Sequence, residues 1–337
     1  MNDKQPTLSL IFPVYNEAEN LNTLYDSIKD VVSKIEMPYE LLFVDDGSRD
    51  SSLEIIQNLA ERDDCVRYIS LSRNFGHQMA ILAGLTYSQG EVVITMDADL
   101  QHPPELIPEM VSLWRQGYEV VYTLKRNYPI PFYKLIQIRL FYWCISRISG
   151  LNLSFGQSDF RLLDRQVVDV ILNIPEYRKF LRGLVDWAGF RQIGLAYDVN
   201  KRLSGHSKFS YRSQIDFALD GILSFSNVPL RLMTIIGLII SFFSFLYALW
   251  VILSKYIKSL NPNVESPSGW TSLAVLLTFF GGMQLITTGV LGEYISRIYE
   301  QIKGRPYYIV RTQSRHISNR GELERLQKKK DRDDKLG

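Results

Sequence analysis

Cysteine is nearly missing: Cys65 and Cys144 are the only two in 337 residues. They lie far apart and form no CxxC pair, which excludes a thiolate metal centre and a disulfide framework and fits a reducing compartment. Net charge is nearly missing too, with 38 Lys and Arg against 36 Asp and Glu, so no basic field points to a nucleic-acid partner. No secretory leader is legible, because the first apolar stretch is short, starts after Pro6, stops at Pro13 and has no small-residue cleavage site. The domain that follows is therefore expected to stay in the cytosol. Histidine is scarce as well: His77 and His102 have no second His or Cys at ligand spacing, and they read as surface or packing residues.

What is present is rhythm. Leu8 to Phe12, Glu40 to Val44 and Val92 to Met96 are short apolar runs, each ending in polar residues and separated by helix-like sequence. That alternation predicts βαβ units around a mainly parallel sheet. Asn20 to Lys34 carries Leu21, Leu24, Ile28, Val31 and Val32 at a 3.6-residue period, and Ser51 to Arg62 behaves similarly. The expected fold is thus a doubly wound α/β domain over residues 1–209. Ligands of such sheets bind beyond the carboxyl ends of the strands, where this sequence places PVYNE, DDGSRD and DADLQHPPE.

Leu232 to Leu253 and Trp270 to Leu291 contain no formal charge. At ~1.5 Å per residue, each of these segments would span roughly 33 Å, enough for the hydrocarbon core of a bilayer. Two transmembrane helices, at 232–253 and 270–291, are expected in place of a pair of buried soluble helices, which seldom run so far without a charged face. The loop 254–269 holds only Lys255 and Lys258, whereas Lys201 to Arg231 has five basic residues and Gly292 to Arg320 has six. The positive-inside rule then puts the catalytic domain and the C-terminal tail, 292–337, in the cytoplasm and the loop outside, as in a multi-pass protein of the cell (inner) membrane. The charged stretch Gly321 to Gly337 reads as disordered or held to anionic lipid. Segment 210–231 reads as an interfacial amphipathic stretch, and Pro131 to Ser149 as either an interfacial or a buried helix.

Chemistry concentrates in three motifs. Asp97-Ala98-Asp99 ends the run Val92 to Met96, and two carboxylates at i and i+2 suit a hard divalent cation with positions left for phosphate oxygens. A solvated acidic loop is the alternative. Asp45-Asp46-Gly47-Ser48 offers a carboxylate to a base or ribose, or a helix cap through Ser48 or Asp50. Pro13 to Glu17 supplies a stackable ring and hydrogen-bonding groups, or a plain strand-to-helix turn.

With these residues in order, the chain resembles the family 2 glycosyltransferases of the GT-A fold. More narrowly, it is similar to the polyprenyl-phosphate glycosyltransferases, the group with dolichol-phosphate mannose synthases and bactoprenol glucosyltransferases. PVYNE at 13–17, DDGSRD at 45–50, LSRNFGHQMAILAGL at 71–85, DADLQHPPE at 97–105, SDFRLLDR at 158–165 and KRLSGHSKFS at 201–210 carry the resemblance. It implies that Pro13, Tyr15, Glu17, Asp45 and Asp46 meet the nucleotide, that Asp97 and Asp99 meet a Mg²⁺ or Mn²⁺ on the diphosphate, and that Gln101 lies beside them. Arg202, Ser207 and Lys208 match a stretch that closes over phosphates, and Lys125 or Arg126 stands where relatives hold the acceptor phosphate. Asp159 matches an acid that serves many relatives as a base. A lipid phosphate is already an anion, however, so Asp159 has an orienting or a structural role as its alternative.

The implied reaction is an inverting single displacement from a UDP-sugar, with glucose or N-acetylglucosamine, onto polyprenyl phosphate, with Asp99, Asp159 and Arg202 as the catalytic set. A GDP-mannose donor is the rival within the family, and membrane relatives imply a homo-oligomer. A processive polysaccharide synthase would carry QxxRW, which does not occur here. A membrane scaffold or nucleotide-sugar sensor would have little use for an intact Asp97, Asp99, Arg202 and Lys208.

Overall fold

The computed structural model describes residues 7–126, 156–176, 179–198, 228–260 and 269–314. Arg202, Ser207, Lys208, the stretch 131–149, the segment 210–227 and the tail 321–337 lie outside them. The chain divides into two units: Met1–Arg147, Leu151–Asp220 and Arg305–Gly337 form one, and Ile148–Gly150 with Gly221–Gly304 form the other.

In the first unit the apolar runs become strands. β1 (Leu8–Val14), β2 (Tyr39–Asp45) and β4 (Val92–Thr95) sit where the runs predicted, and α1 (Leu21–Val32) and α2 (Ser52–Arg62) follow the 3.6-residue periods. β3 (Val66–Leu71), α3 (His77–Tyr87), α4 (Ile107–Arg115), β5 (Val120–Lys125), β6 (Gln157–Asp164), α5 (Arg165–Asn173), α6 (Leu181–Trp187) and β7 (Gln192–Tyr197) complete the first pass. The chain then returns after the second unit as β8 (Val310–Gln313). The eight strands are ordered β7-β5-β6-β4-β1-β2-β3-β8, and only β6 and β8 run against the others.

Alternation along the strands builds two cores. Leu8, Leu10 and Phe12 of β1 join Leu41 and Phe43 of β2 under α1 and α2, while Ile11, Leu42 and Val44 face α3 and α5. Both faces are covered because a sheet with helices on each side has no wet face. Phe12 stacks on Phe43 at 4.9 Å between ring centroids, and burying each such ring is worth about 1.5–3 kcal/mol. α3 is apolar all round, with Ala80 to Leu85 buried, and a Cβ on Gly84 would collide with Ile11. The helix therefore lies hard against β1.

Segment 305–314 is more than a tail. β8 pairs antiparallel with β3, Ser72 N donates to Ile309 O at 2.8 Å, and Ser314 N donates to Tyr68 O at 3.0 Å. Tyr307 and Tyr308 pack on the α3 side of the core, where burial pushes the Tyr308 hydroxyl up to about 12 against its bond with Thr86.

The second unit holds α7 (Val228–Leu260, 33 residues) and α8 (Gly269–Ile302, 34 residues), which cover both expected spans. Among the described residues one helix, α7, is long and apolar enough to cross a membrane by length and composition, through Leu230–Tyr247. Large apolar side chains on both helices are exposed, Leu238, Phe243 and Phe245 on α7 and Leu285 and Ile286 on α8 among them.

Candidate active site

The carboxyl edge of the sheet collects the motifs. After β1 the chain turns through Asn16 at φ 54° and after Asp99 through Leu100 at φ 60°, the only positive-φ residues other than glycine among those described. A leucine in this region is strained by about 1–3 kcal/mol. Leu100 reverses the chain so that Gln101 N donates to Asp99 Oδ1 at 3.2 Å.

Asp45 and Asp46 end β2 buried. Asp45 accepts from Ser48 N at 3.0 Å and Ser70 Oγ at 2.8 Å. Asp46 accepts from Phe75 N at 2.7 Å and Gly76 N at 2.9 Å, and burial pushes its pKa up in spite of those bonds. Gly47 has φ +68°, and a Cβ there would stand 2.5 Å from the Arg73 carbonyl carbon. Ser51 takes the N-cap of α2 without a side-chain bond; Asp50 accepts from Ser52 N instead, while Ser48 Oγ accepts from Asn16 N. Ser52 Oγ accepts from Glu17 N, and the Glu17 carboxylate from Asn20 Nδ2. The loops after β1 and β2 are thus knitted together. Pro13 is buried in β1, and Tyr15 and Glu17 are half-buried beyond it.

The loop after β4 meets two histidines. His102 is buried against Phe160, with Nδ1 2.7 Å from the Tyr197 hydroxyl and Nε2 3.1 Å from Asp97 Oδ2. His77, the first residue of α3, places Nε2 3.3 Å from Asp97 Oδ1 and 3.5 Å from Asp159 Oδ2. The expectation of a surface or packing role therefore covers only part of what these residues do. Burial works to raise the Asp97 pKa, but His77 charge and the His102 bond hold it down at about 2. Burial works to lower that of His77, and Asp97 and Asp159 raise it to about 9.

Asp159 comes from the opposite direction, on antiparallel β6. Register Thr95↔Arg161 carries β6 past the end of β4, so Asp159 lies beside Asp97. Arg182 of α6 grips it with two bonds of 2.8 Å, Arg161 Nη2 stands 3.6 Å away and Gln78 Nε2 at 3.4 Å. Desolvation opposes its charge, but Arg182, His77 and Arg161 hold the Asp159 pKa well below the carboxylate range. Burial lowers the Arg161 pKa to about 10, which leaves it charged at neutral pH. Sequence reasoning missed Arg182: a lone arginine in a seven-residue helix, 23 positions from its partner, gives no signal.

Lys125 and Arg126 close β5 at the same edge, Lys125 half-buried and Arg126 exposed. Lys125 N bonds to Gly156 O and Arg126 N to Tyr197 O. Gln101 is half-buried. Asp97, Asp99, Asp159, Lys125 and Arg126 thus share one edge, whereas Arg202, Ser207 and Lys208 lie outside the described residues. Among the described residues no three His, Cys, Asp or Glu side chains form a metal cage. Asp97 Oδ1 is buried without a hydrogen bond. Two carboxylates two residues apart, one of whose oxygens is met only by the His77 ion pair, fit a cation that takes its remaining ligands from phosphate and water.

The model for glycosyl transferase family 2 matches residues 9–172. An uncharacterized glycosyltransferase of Synechocystis is 41% identical over 90% of this chain and 94% of its own. This chain belongs to glycosyl transferase family 2. Its mostly parallel sheet is the GT-A type α/β fold, and it is a transferase by family. A prophage-derived bactoprenol glucosyl transferase of Shigella flexneri is 38% identical over 91% of this chain and 98% of its own. The solved glucosyl-3-phosphoglycerate synthase of Mycobacterium tuberculosis with uridine-diphosphate, 19% identical, superposes with a TM-score of 0.43 over 65% of this chain and 79% of that one. At that distance the superposition informs neither substrate nor metal.

Proposed function

We propose that this glycosyltransferase moves a sugar, glucose or N-acetylglucosamine, from a UDP-sugar to polyprenyl phosphate at the cytoplasmic face of the membrane. The observation that carries this reading is the likeness, nearly end to end, to proteins named bactoprenol glucosyl transferases. The exposed apolar helices α7 and α8 support a membrane setting. The return of residues 305–314 to the sheet supports an even number of crossings, with both flanks on one side.

In this reading Pro13, Tyr15, Glu17, Asp45, Asp46 and Gln101 shape the nucleotide-sugar pocket, the two Asp of β2 through the loops they hold. Asp97 and Asp99 would hold Mg²⁺ or Mn²⁺. That cation, when bound, neutralises the charge that grows on the leaving diphosphate. Lys125 and Arg126 receive the acceptor phosphate, and Arg202, Ser207 and Lys208 close on the donor phosphates. Phosphate oxygen attacks the anomeric carbon, the bond to the nucleotide diphosphate breaks, and configuration inverts. No proton need leave the acceptor, because a phosphate monoester has a second pKa of about 6. Asp159, held ionised by Arg182, is an orienting group in this scheme.

The test is to incubate the purified protein with polyprenyl phosphate, Mn²⁺ and a panel of nucleotide sugars, and to read the lipid fraction by mass spectrometry. A glycosyl phosphoryl polyprenol from one UDP-sugar is the expected product. Product from GDP-mannose alone would replace the donor, and transfer only to hydroxyl acceptors would overturn the reading.

A further inference from the structure

Two of the site's carboxylates, Asp97 and Asp159, are joined by one side chain. Asp97 stands on the donor side, after β4, and Asp159 on the returning strand β6. His77 Nε2 reaches both, at 3.3 Å and 3.5 Å. The other oxygen of Asp97 is held at 3.1 Å by His102, which Tyr197 fixes from behind at 2.7 Å. Asp97 is therefore supported through both oxygens, by residues that nothing in the family motif of two carboxylates requires.

His77 is also rigidly presented. It opens α3, whose close packing on Ile11 at Gly84 admits no side chain there. The two residues before it, Phe75 and Gly76, have their backbone N–H groups bound to the Asp46 carboxylate. Gly76 takes φ +96°, a conformation that suits glycine. The buried acid of β2 thus fixes the loop that aims the imidazole.

We propose that His77 is a positioning residue: it orients the Asp97 carboxylate toward the metal and diphosphate and ties that orientation to Asp159. The inference rests on the proposed metal role of Asp97 and Asp99, and it is independent of which lipid or sugar is used. A group that orients a ligating carboxylate contributes to metal affinity without touching the metal, and its loss typically costs about 10–100-fold.

The test uses the full-length protein in detergent and reads Mn²⁺ binding by electron paramagnetic resonance, with no substrate present. His77→Ala should weaken Mn²⁺ binding about tenfold or more. His77→Gln, whose Nε2 has nearly the reach of the imidazole Nε2, should recover most of the loss. In an Asp97→Asn background, His77→Ala should add little, because the two act as one unit. Unchanged Mn²⁺ affinity in His77→Ala, or a folded His77→Gln as weak as the alanine variant, overturns the proposal; so does additivity with Asp97→Asn. Should His77→Ala fail to fold by circular dichroism, His77→Leu, which fills similar space without a hydrogen-bond donor, takes its place in each comparison with the same expected and overturning results. A wild-type protein that gives no product with polyprenyl phosphate, while its Mn²⁺ affinity still depends on His77, would sink the proposed acceptor and leave this inference standing. Normal transfer with Mn²⁺ affinity indifferent to His77 would sink only the inference.

Discussion

Two acidic pairs end β2 and β4, the strands on either side of β1, and their surroundings differ. Asp45 and Asp46, after β2, are 1% and 3% exposed and bond to backbone and hydroxyl groups of their own and the next loop. Asp97 and Asp99, after β4, are both half-buried, and Asp97 keeps an oxygen without a hydrogen bond, facing His77. Identical side chains thus knit loops together at one strand end, and at the other they stand half-buried, with Asp97 between two histidines. A carboxylate that accepts several N–H bonds is satisfied, whereas one whose oxygen meets only an ion pair at 3.3 Å still has a lone pair for a cation.

The contrast breaks most visibly in activity. Asp99→Asn should lower transfer about 10²–10³-fold with an unchanged melting curve; wild-type turnover across a Mn²⁺ series would erase the distinction between the pairs. Asp46→Ala should act on stability instead, because it leaves Phe75 N and Gly76 N without their acceptor. A loss of about 3–4 kcal/mol in denaturant unfolding is expected, with unchanged stability the contrary result. Asp159→Asn lies between the two classes. Arg161 and Arg182 lose their charged partner, so unfolding free energy should fall by about 2–3 kcal/mol, yet transfer to polyprenyl phosphate should remain measurable. Arg202→Ala should do more harm to turnover; the opposite ranking at saturating donor and metal would point to a base-dependent acceptor. Gly47→Ala, with its left-handed backbone and the Arg73 main chain in the way, should cost about 1–2 kcal/mol, visible as a lower denaturation midpoint.

The smallest effect is a pH dependence of the metal-free protein. The His77 pKa is raised to about 9 when folded, so its stabilisation is complete below its ordinary value of about 6.5 and fades as pH rises through about 9. The Asp97 pKa is depressed to about 2, so its contribution is present above about 3.9 and fades toward pH 2. Thermal midpoints should therefore decline from pH 6.5 to 9, and His77→Gln should flatten that slope. An identical slope in the variant would remove His77 from the account.

Local pattern was legible where one physical signal dominated. β1, β2 and β4 announced themselves as apolar runs with polar ends, and α1 and α2 by amphipathic period, because burial of one stripe or of both sheet faces leaves that mark in the sequence. α3 left no such mark as a helix: apolar on every side, it has no period to read, and it was visible only as part of the family motif. β8 was hidden for a different reason, since four mostly exposed residues after a long helix look like any tail until a partner strand is known.

The sequence alone determined the sheet class, the strand-end location of Asp97 and Asp99, the place of the two apolar helices and the family; the length of those helices it underestimated, since they run 33 and 34 residues. Tertiary structure decided which charges meet. β6 runs antiparallel between β4 and β5, so Asp159 arrives beside Asp97 from 62 positions later, and α6 delivers Arg182 to the same carboxylate. Sequence periodicity reports how each element is buried; it carries no record of strand order, and strand order sets the distances on which the electrostatics of the site depend.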